Sequence, residues 1–216
     1  MNGQDQSICI LGGGWSNERE ISLKSSKAVY DSLRSNGHNV YFYDMHKDSF
    51  SELELFVNKY SINLVFNLIH GEGGEDGKIQ NYLDRLGIKY SGSNSSSSEI
   101  SFNKYLTKEE WVKNNLITPE YELFNNQSYH FLSSKYTVPF FIKDICSGSS
   151  NNIFLITNNS EFNSFVHNHD VTRKYMIEKK IEADEYTAAI IHNEVLPIIK
   201  ITPTNTFYDY DAKYKS

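Results

Sequence analysis

The sequence predicts an α/β fold, with a parallel sheet in the N-terminal half and an α+β arrangement in the C-terminal half. In residues 7–91, short apolar runs alternate with amphipathic helical patterns, as expected for parallel strands joined by helical crossovers that cover both faces. In residues 138–202, strand patterns follow one another with short connections, which favours antiparallel pairing. The chain has 216 residues, 39% of them hydrophobic, which is enough to bury a core.

Each element of the N-terminal half follows from its local pattern. Strands are predicted at short apolar or β-branched runs, and helices where apolar residues recur every three or four positions. The predicted strands are residues 7–11, 39–44, 63–70 and 88–91. The predicted helices are residues 17–36, 50–60 and 78–86. Asn17 is expected to cap the first helix, because Glu20 follows three residues later.

A serine-rich stretch at residues 91–98 lacks apolar periodicity and predicts a domain boundary. A helix is predicted to follow it at residues 100–115, and another at residues 160–167. The predicted strands of this half are residues 138–143, 153–156, 174–181, 185–192 and 195–202. The last three are expected to pair antiparallel, since their connections are too short for helical crossovers.

Composition and charge exclude several classes of protein. The net charge is -6 and no block of lysine and arginine occurs, so no nucleic-acid partner is expected. The apolar runs are strand-sized and the N-terminus is polar, so neither a membrane span nor a secretory leader is expected, and the predicted location is the cytoplasm. Cys9 and Cys146 have no metal-ligand spacing and are predicted to be free thiols.

A glycine run, Gly12 to Gly14, separates the first strand from the first helix. This geometry lets backbone N–H groups approach an anion, although the Gly-x-Gly-x-x-Gly spacing of dinucleotide sites is missing. Glu18 follows, and two interpretations are open. It is either an acidic residue that stabilises the positive end of the helix, or a carboxylate at the carboxyl edge of the sheet that faces a ligand ammonium.

The segment His-Gly-Glu-Gly-Gly-Glu-Asp-Gly, residues 70–77, follows the third predicted strand. Ligands collect at the carboxyl ends of parallel strands, so His70 and Glu18 are expected to share one edge of the sheet. Four glycines in eight residues allow the backbone to close tightly on a ligand. The alternative is an ordinary strand-to-helix loop with solvated charges.

Three segments of the C-terminal half could bind a nucleotide. Lys143 ends a predicted strand and is followed by a Ser-Gly-Ser-Ser loop, which suits phosphate oxygens but also describes many flexible loops. Residues 178–181 end the next strand, where main-chain groups could meet a purine edge or the charges could simply be solvated. Residues 207–214 crowd three tyrosines, two aspartates and a lysine, which alone could form an edge strand with aromatic pairs.

The order and spacing of these segments carry a family resemblance. The matching segments are the glycine run with Glu18-Arg19-Glu20, His70-Gly71 with Gly74-Glu75-Asp76-Gly77, Tyr90-Ser91-Gly92-Ser93, Lys104, residues 139–143 with Gly148-Ser149-Ser150, Glu178, Glu185 and residues 207–214. Together they resemble the D-alanine:D-alanine ligases of the ATP-grasp superfamily, which join two D-alanines through an acyl phosphate for peptidoglycan precursors. The resemblance implies a Rossmann-like substrate domain at residues 1–98, a central ATP-grasp lobe at 99–183 and the start of a C-terminal lobe at 184–216.

The resemblance also implies individual roles. Glu18, Ser149 and Tyr214 match a catalytic triad that orients the first D-alanine, and His70 matches a histidine near that substrate. The residues expected to bind ATP are Lys104, Lys143, Ser150, Glu178, Lys179, Ile181, Glu185 and Lys213. The implied small-molecule ligands are ATP and D-alanine, with Mg2+ or Mn2+ held by ligands beyond Ser216, and a homodimer is compatible with the resemblance.

The sequence departs from the family at several positions. Asn103 precedes Lys104 where the family has an aspartate, and Asp144 follows Lys143 where it has a proline. Asp144 is expected to weaken ATP binding unless its side chain turns away from the phosphates. The chain ends where the family continues, so these residues alone are expected to be poor catalysts. Two alternatives remain open: a truncated, non-catalytic module that binds nucleotide or D-amino acid, and an ATP-grasp ligase with a different acceptor.

Overall fold

The computed structural model describes residues 6–148, 152–191 and 194–202. The chain forms two compact units, Met1–Glu110 and Trp111–Ser216. The division into domains after residues 98 and 183 stays a prediction.

The first unit contains the predicted parallel sheet. Its strands are β1 (Ser7–Gly13), β2 (Asn39–Met45), β3 (Leu64–Asn67) and β4 (Lys89–Tyr90). They lie in the order β2-β1-β3-β4, and every neighbouring pair is parallel. The predicted class of fold is therefore confirmed for this half, and the central strand β1 delivers its glycine run to the carboxyl edge of the sheet.

Helices cover the two faces of this sheet. They are α1 (Arg19–Ser35), α2 (Phe50–Lys59) and α3 (Lys78–Arg85). Successive side chains of β1 point to opposite faces, so Ile8 and Ile10 belong to one buried cluster while Cys9 and Leu11 belong to another. The first cluster is covered from α1 by Val29, Tyr30 and Leu33. The second contains Leu53 and Val57 of α2 with Ile79 and Leu83 of α3.

Helix α1 approaches the sheet very closely. A Cβ atom built on Gly12 would lie 2.1 Å from the hydroxyl oxygen of Ser26, so only glycine fits here. Ser22 and Ser26 are both fully buried on this face, and Ser22 Oγ donates a hydrogen bond of 2.7 Å to the carbonyl of Leu68. This contact ties the first turns of α1 to the chain that leaves β3.

The start of α1 differs from the prediction. The helix begins at Arg19, Glu18 occupies the cap position, and no side chain caps the helix, so the prediction of an Asn17 cap is wrong. The physical reason is a turn at Ser16, whose carbonyl accepts the Arg19 N–H at 3.2 Å, one of the two N–H groups that an Asn17 cap would receive. Strand β3 also ends earlier than predicted, since Asn67 Oδ1 accepts the Ile69 N–H at 3.1 Å and turns the chain.

The serine-rich stretch is partly helical, which the sequence pattern did not predict. Helix α4 (Ser95–Phe102) starts inside it, because Asn94 accepts the Ser97 N–H. A separate helix, α5 (Lys104–Lys113), follows where one helix over residues 100–115 was predicted. Asn103 divides them, since its Oδ1 accepts the N–H groups of Tyr105 and Leu106 at 3.0 and 3.1 Å and starts a new helix.

The second unit contains an antiparallel sheet of four strands. They are β5 (Tyr121–Leu123), β6 (Phe140–Asp144), β7 (Ile153–Ile156) and β8 (Tyr175–Lys179), in the order β5-β8-β6-β7. Helices α6 (Tyr129–Tyr136) and α7 (Asn159–Asn168) contribute to its core. The predicted strands and helix of this part are confirmed, whereas β5 and α6 had no prediction.

Four short strands follow β8 within residues 180–191 and 194–202. They are β9 (Glu185–Thr187), β10 (Ile190–Ile191), β11 (Glu194–Val195) and β12 (Ile199–Ile201). β9 pairs with β12 and β10 with β11, both antiparallel, as predicted for residues 185–192 and 195–202. β8 pairs instead with β5 and β6. None of the helices in the described part of the chain has the length and apolar character needed to cross a membrane.

Candidate functional site

Glu18 and His70 lie on adjacent loops at the carboxyl edge of the parallel sheet. The residue after His70 is Gly71, whose φ of 72° lies in the left-handed region. A Cβ atom built on Gly71 would be 2.9 Å from Glu18 Oε2 and 2.9 Å from Ser16 Oγ. The Glu18 carboxylate therefore packs directly against the backbone of the His70 loop, and glycine is what permits the approach.

Arg19 fixes the glycine turn that precedes Glu18. Gly13 and Gly14 both have positive φ, at 83° and 88°. The Arg19 guanidinium donates to the carbonyls of Gly14 and Met45 at 2.9 and 3.2 Å, and it pairs with Asp44 at 2.7 Å. It thus joins the carboxyl ends of β1 and β2. The sequence contained this arginine in the matched motif, but its contacts depend on the parallel pairing of the two strands.

The His70 loop is held by two amide side chains. Asn67 Nδ2 and Gln80 Nε2 donate to the carbonyl of Gly74 at 2.8 and 2.7 Å. His70 Nδ1 lies 3.7 Å from the Glu75 carboxylate. That carboxylate favours the protonated imidazole and raises the pKa of His70 above its ordinary value, with a smaller contribution from Glu18.

The His70–Glu75 pair should make stability depend on pH. Because the pKa of His70 is raised in the folded state, the stabilisation is complete below the unfolded value of 6.5 and is lost as pH rises through the folded pKa. The unfolding free energy of the unchanged protein should therefore fall as pH rises from 6 to 8. Glu75→Gln should make this fall smaller, by less than about 1 kcal/mol because the imidazole is partly exposed. Urea titrations at several pH values measure it, with His70→Gln as the control that should show the same change. Parallel pH curves for all three proteins would contradict the assignment.

A cavity of about 390 Å³ opens beside His70. Its wall includes Gln80 and four serines, Ser91, Ser93, Ser98 and Ser101. Within the described residues, His70 Nε2 and Gln80 Oε1 are buried atoms without a hydrogen-bond partner. Since unpaired buried polar atoms are costly, the wall suits water or a polar ligand more than an apolar one.

In the second unit, Lys143 of β6 contacts Glu178 of β8. Lys143 Nζ lies 2.8 Å from Glu178 Oε1, and the two side chains are only 19% and 12% exposed. Glu178 is the partner of Phe141 in the antiparallel ladder, so Lys143 reaches it diagonally across the strands. Two residues predicted to bind ATP are therefore brought together, with the ammonium already oriented by a carboxylate.

Asp144 turns away from Lys143, which removes the expected repulsion of phosphates. Successive residues of a strand point to opposite faces, and the Asp144 side chain is 3% exposed and pairs with Arg173 at 2.7 Å. Its carboxylate also accepts the Cys146 N–H at 2.8 Å and a bond from Asn152 Nδ2 at 3.3 Å. Asp144 thus anchors the chain on both sides of the serine segment.

The other residues predicted to belong to the site lie in several different elements or outside the described residues. Lys104 is the first residue of α5, in the first unit. Lys179 ends β8 and its N–H donates to the carbonyl of Glu120 at 3.0 Å. Ile181 is 54% exposed just beyond β8, and Glu185 begins β9 with an exposed side chain. Ser149, Ser150, Lys213 and Tyr214 lie outside the described residues, so the triad with Glu18 stays a prediction.

No metal centre is formed by residues 6–148, 152–191 and 194–202. Within these ranges, no group of three or more His, Cys, Asp or Glu residues is placed to hold an ion. The resemblance places the ligands of the expected Mg2+ outside these ranges, so a role for the ion stays a prediction. Neither Cys9 nor Cys146 forms a disulfide within the described part of the chain.

A parallel-sheet unit followed by an α+β unit with a lysine on a strand is the architecture that the resemblance to the ATP-grasp superfamily implies. Two family models match the sequence: D-ala D-ala ligase N-terminus over residues 48–93 and D-ala D-ala ligase C-terminus over residues 105–216. The chain belongs to the D-alanine–D-alanine ligase family.

Sequence and structure comparisons with individual ligases support the assignment to this family. The D-alanine–D-alanine ligases of Saccharophagus degradans and Vesicomyosocius okutanii are 34% and 36% identical over 96% and 97% of this chain. The chain spans 65% and 70% of their lengths, or about two thirds. A crystal structure of the Bacillus anthracis D-alanine–D-alanine ligase is 27% identical with a TM-score of 0.78, covering 96% of this chain and 68% of that one. A second structure of that ligase, complexed with ATP, has a TM-score of 0.77 at 26% identity and covers 94% of this chain and 68% of that one.

Proposed function

We propose that this chain carries the D-alanine-binding and nucleotide-binding parts of an ATP-dependent D-alanine–D-alanine ligase. The observation that carries the proposal is the Glu18 carboxylate packed against Gly71, beside His70, at the carboxyl edge of the parallel sheet. The activity of the relatives, and their similarity along 96% or more of the chain, support the same function.

The proposed role of Glu18 is to bind the ammonium of the first D-alanine. An ionised carboxylate is a strong acceptor for an ammonium, and the neighbouring loop restricts where the substrate can lie. His70 would face the same substrate, and its raised pKa keeps more of the imidazole protonated near neutral pH, where it can donate to a substrate carboxylate. Ser149 and Tyr214 would complete this site by the motif resemblance.

The proposed nucleotide-binding residues are centred on β6 and β8 of the second unit. Lys143 would hold phosphate oxygens, main-chain groups at Lys179 and Ile181 would meet the adenine, and Glu185 would bind the ribose. Glu178 orients Lys143 through their 2.8 Å contact. By the motif resemblance, Lys104 would also bind phosphate. The Bacillus anthracis ligase complexed with ATP supports ATP as the nucleotide.

The proposed reaction has two steps. A carboxylate oxygen of the first D-alanine attacks the γ-phosphorus of ATP, which gives an acyl phosphate and ADP. The neutral amine of a second D-alanine then attacks the acyl carbon, which releases phosphate and forms the dipeptide used for peptidoglycan. Lysine side chains stabilise the charge on the phosphoryl oxygens, and Glu18 orients the first substrate. A reaction that consumes ATP supports a cytoplasmic location.

The proposal is tested first by binding and then by turnover. Calorimetry should show that the chain binds D-alanine and ATP, and that it binds L-alanine more weakly than D-alanine. Phosphate release from ATP should depend on D-alanine and a divalent metal ion. Failure to bind both D-alanine and ATP would overturn the proposal, whereas binding without phosphate release would support a non-catalytic module.

A further inference from the structure

Ser16 links the loop that carries Glu18 to the loop that carries His70. Its hydroxyl donates a 2.7 Å hydrogen bond to the carbonyl oxygen of His70. The same hydroxyl oxygen accepts the N–H of Glu18 at 3.1 Å. One short side chain therefore contacts the main chain of both residues that the proposed site needs.

Other side chains anchor each loop to its surroundings. Arg19 holds the Glu18 loop to the end of β2, through Asp44 and the Met45 carbonyl. Asn67 of β3 and Gln80 of α3 hold the His70 loop through the Gly74 carbonyl. Neither of these sets joins the two loops to each other. The bond from Ser22 to the Leu68 carbonyl joins them one turn further along α1, whereas the Ser16 bonds involve the main chain of Glu18 and His70 themselves.

The two loops are closely packed around Ser16. A Cβ atom built on Gly71 would lie 3.0 Å from Ser16 Cβ and 2.9 Å from its hydroxyl oxygen. Trp15, the neighbouring residue, packs on Gly73, where a Cβ atom would lie 2.3 Å from the indole ring. The indole contact limits how closely the loops approach, but apolar contact has little directionality, so the orientation of Glu18 depends on the hydrogen bonds.

We propose that Ser16 is a positioning residue for the amino-acid site. Its hydroxyl sets the distance and orientation between the Glu18 carboxylate and the His70 imidazole, without touching substrate itself. The inference rests on the proposed function, because it assumes that Glu18 receives the ammonium of D-alanine. A displacement of about 1 Å at such a group is enough to reduce binding or rate substantially.

The experiment compares two serine variants in the same chain. Ser16→Ala should raise the dissociation constant for D-alanine about tenfold and leave that for ATP unchanged, as measured by calorimetry. Ser22→Ala is the matched control, because it also loses a 2.7 Å bond from a hydroxyl to a carbonyl, that of Leu68, yet does not hold the Glu18 N–H. It should lower the melting temperature without a selective loss of D-alanine binding. Ser16→Thr, which keeps the hydroxyl, should restore most of the affinity.

A double-variant cycle separates positioning from a general structural effect. If Ser16 acts through Glu18, Ser16→Ala combined with Glu18→Gln should bind D-alanine about as weakly as Glu18→Gln alone. Additive losses, or equal losses of D-alanine and ATP affinity, would overturn the inference. Should Ser16→Ala not fold, Ser16→Cys, which is slightly larger than serine and replaces the hydroxyl by a weak donor, is expected to show the same selective loss.

The outcomes also distinguish this inference from the proposed function. Unchanged D-alanine affinity in Glu18→Gln would contradict the role of Glu18, and with it the premise. A large loss in Glu18→Gln together with normal affinity in Ser16→Ala would leave the proposed function intact and would overturn the role of Ser16 alone.

Discussion

Glu18→Gln should weaken D-alanine binding by about tenfold to a hundredfold while ATP binding stays the same. A hydrogen bond between charged groups contributes roughly 1.5–3 kcal/mol, and each 1.4 kcal/mol changes a dissociation constant about tenfold. Glutamine keeps the size of the side chain but removes the negative charge that would meet the ammonium. Calorimetric titration with D-alanine, and separately with ATP, measures the effect.

The matched control for this prediction is Glu20→Gln. Glu20 lies in the first turn of α1 and is exposed, so its replacement removes an equal charge from the same helix end. If Glu18 only stabilised the helix dipole, the two variants would lose similar stability, about 0.3–1 kcal/mol, and neither would change D-alanine affinity. That result would reject the ligand-facing interpretation of Glu18.

Lys143→Ala should lower ATP affinity by at least about tenfold and also lower stability. The first effect follows from the loss of a cation beside phosphate oxygens. The second follows because Glu178 would lose a partner 2.8 Å away in a largely buried position. We expect a loss of about 1–3 kcal/mol in unfolding free energy, less than for a fully buried pair. Calorimetry and urea denaturation measure the two effects.

Binding of adenosine distinguishes a role of Lys143 in phosphate binding from a role in maintaining the fold. Adenosine lacks phosphates, so its affinity should be nearly unchanged in Lys143→Ala if the lysine serves the phosphates. Lys135→Ala is the matched control, since Lys135 pairs with Glu122 at 3.2 Å in the same unit and has no predicted nucleotide role. Equal losses of ATP and adenosine affinity would show that Lys143 only maintains the fold.

The order of the longer elements could be predicted from the sequence because their patterns are local. Strands β1 and β2 and helices α1 to α3 all occur within a few residues of their predicted bounds. The three-residue strand β5 had no detectable alternation, and it forms because its backbone pairs with β8. The break between α4 and α5 at Asn103 could not be predicted from the sequence either. It depends on which backbone N–H groups the Asn103 side chain accepts.

The candidate site was only partly predictable. The motifs identified Glu18, His70, Lys143 and Glu178, and the alternation of strands and helices placed the first two at one edge of a sheet. The predicted strand ended at residue 143, so the place of Asp144 within β6 could not be inferred, nor could its pairing with Arg173, which lies beyond the next helix in the chain. Ser16 was likewise missed as a link, since its acceptor is a main-chain carbonyl 54 residues away.

The amino-acid sequence alone determined the class of fold, the family resemblance and the residue types available for chemistry, because these depend on periodicity and on short motifs. Only the tertiary structure decided which of those groups meet: Lys143 with Glu178, Asp144 with Arg173, and Ser16 with both Glu18 and His70. The physical reason is that hydrogen bonds and ion pairs act over about 3 Å, a scale set by strand register and close packing between distant segments.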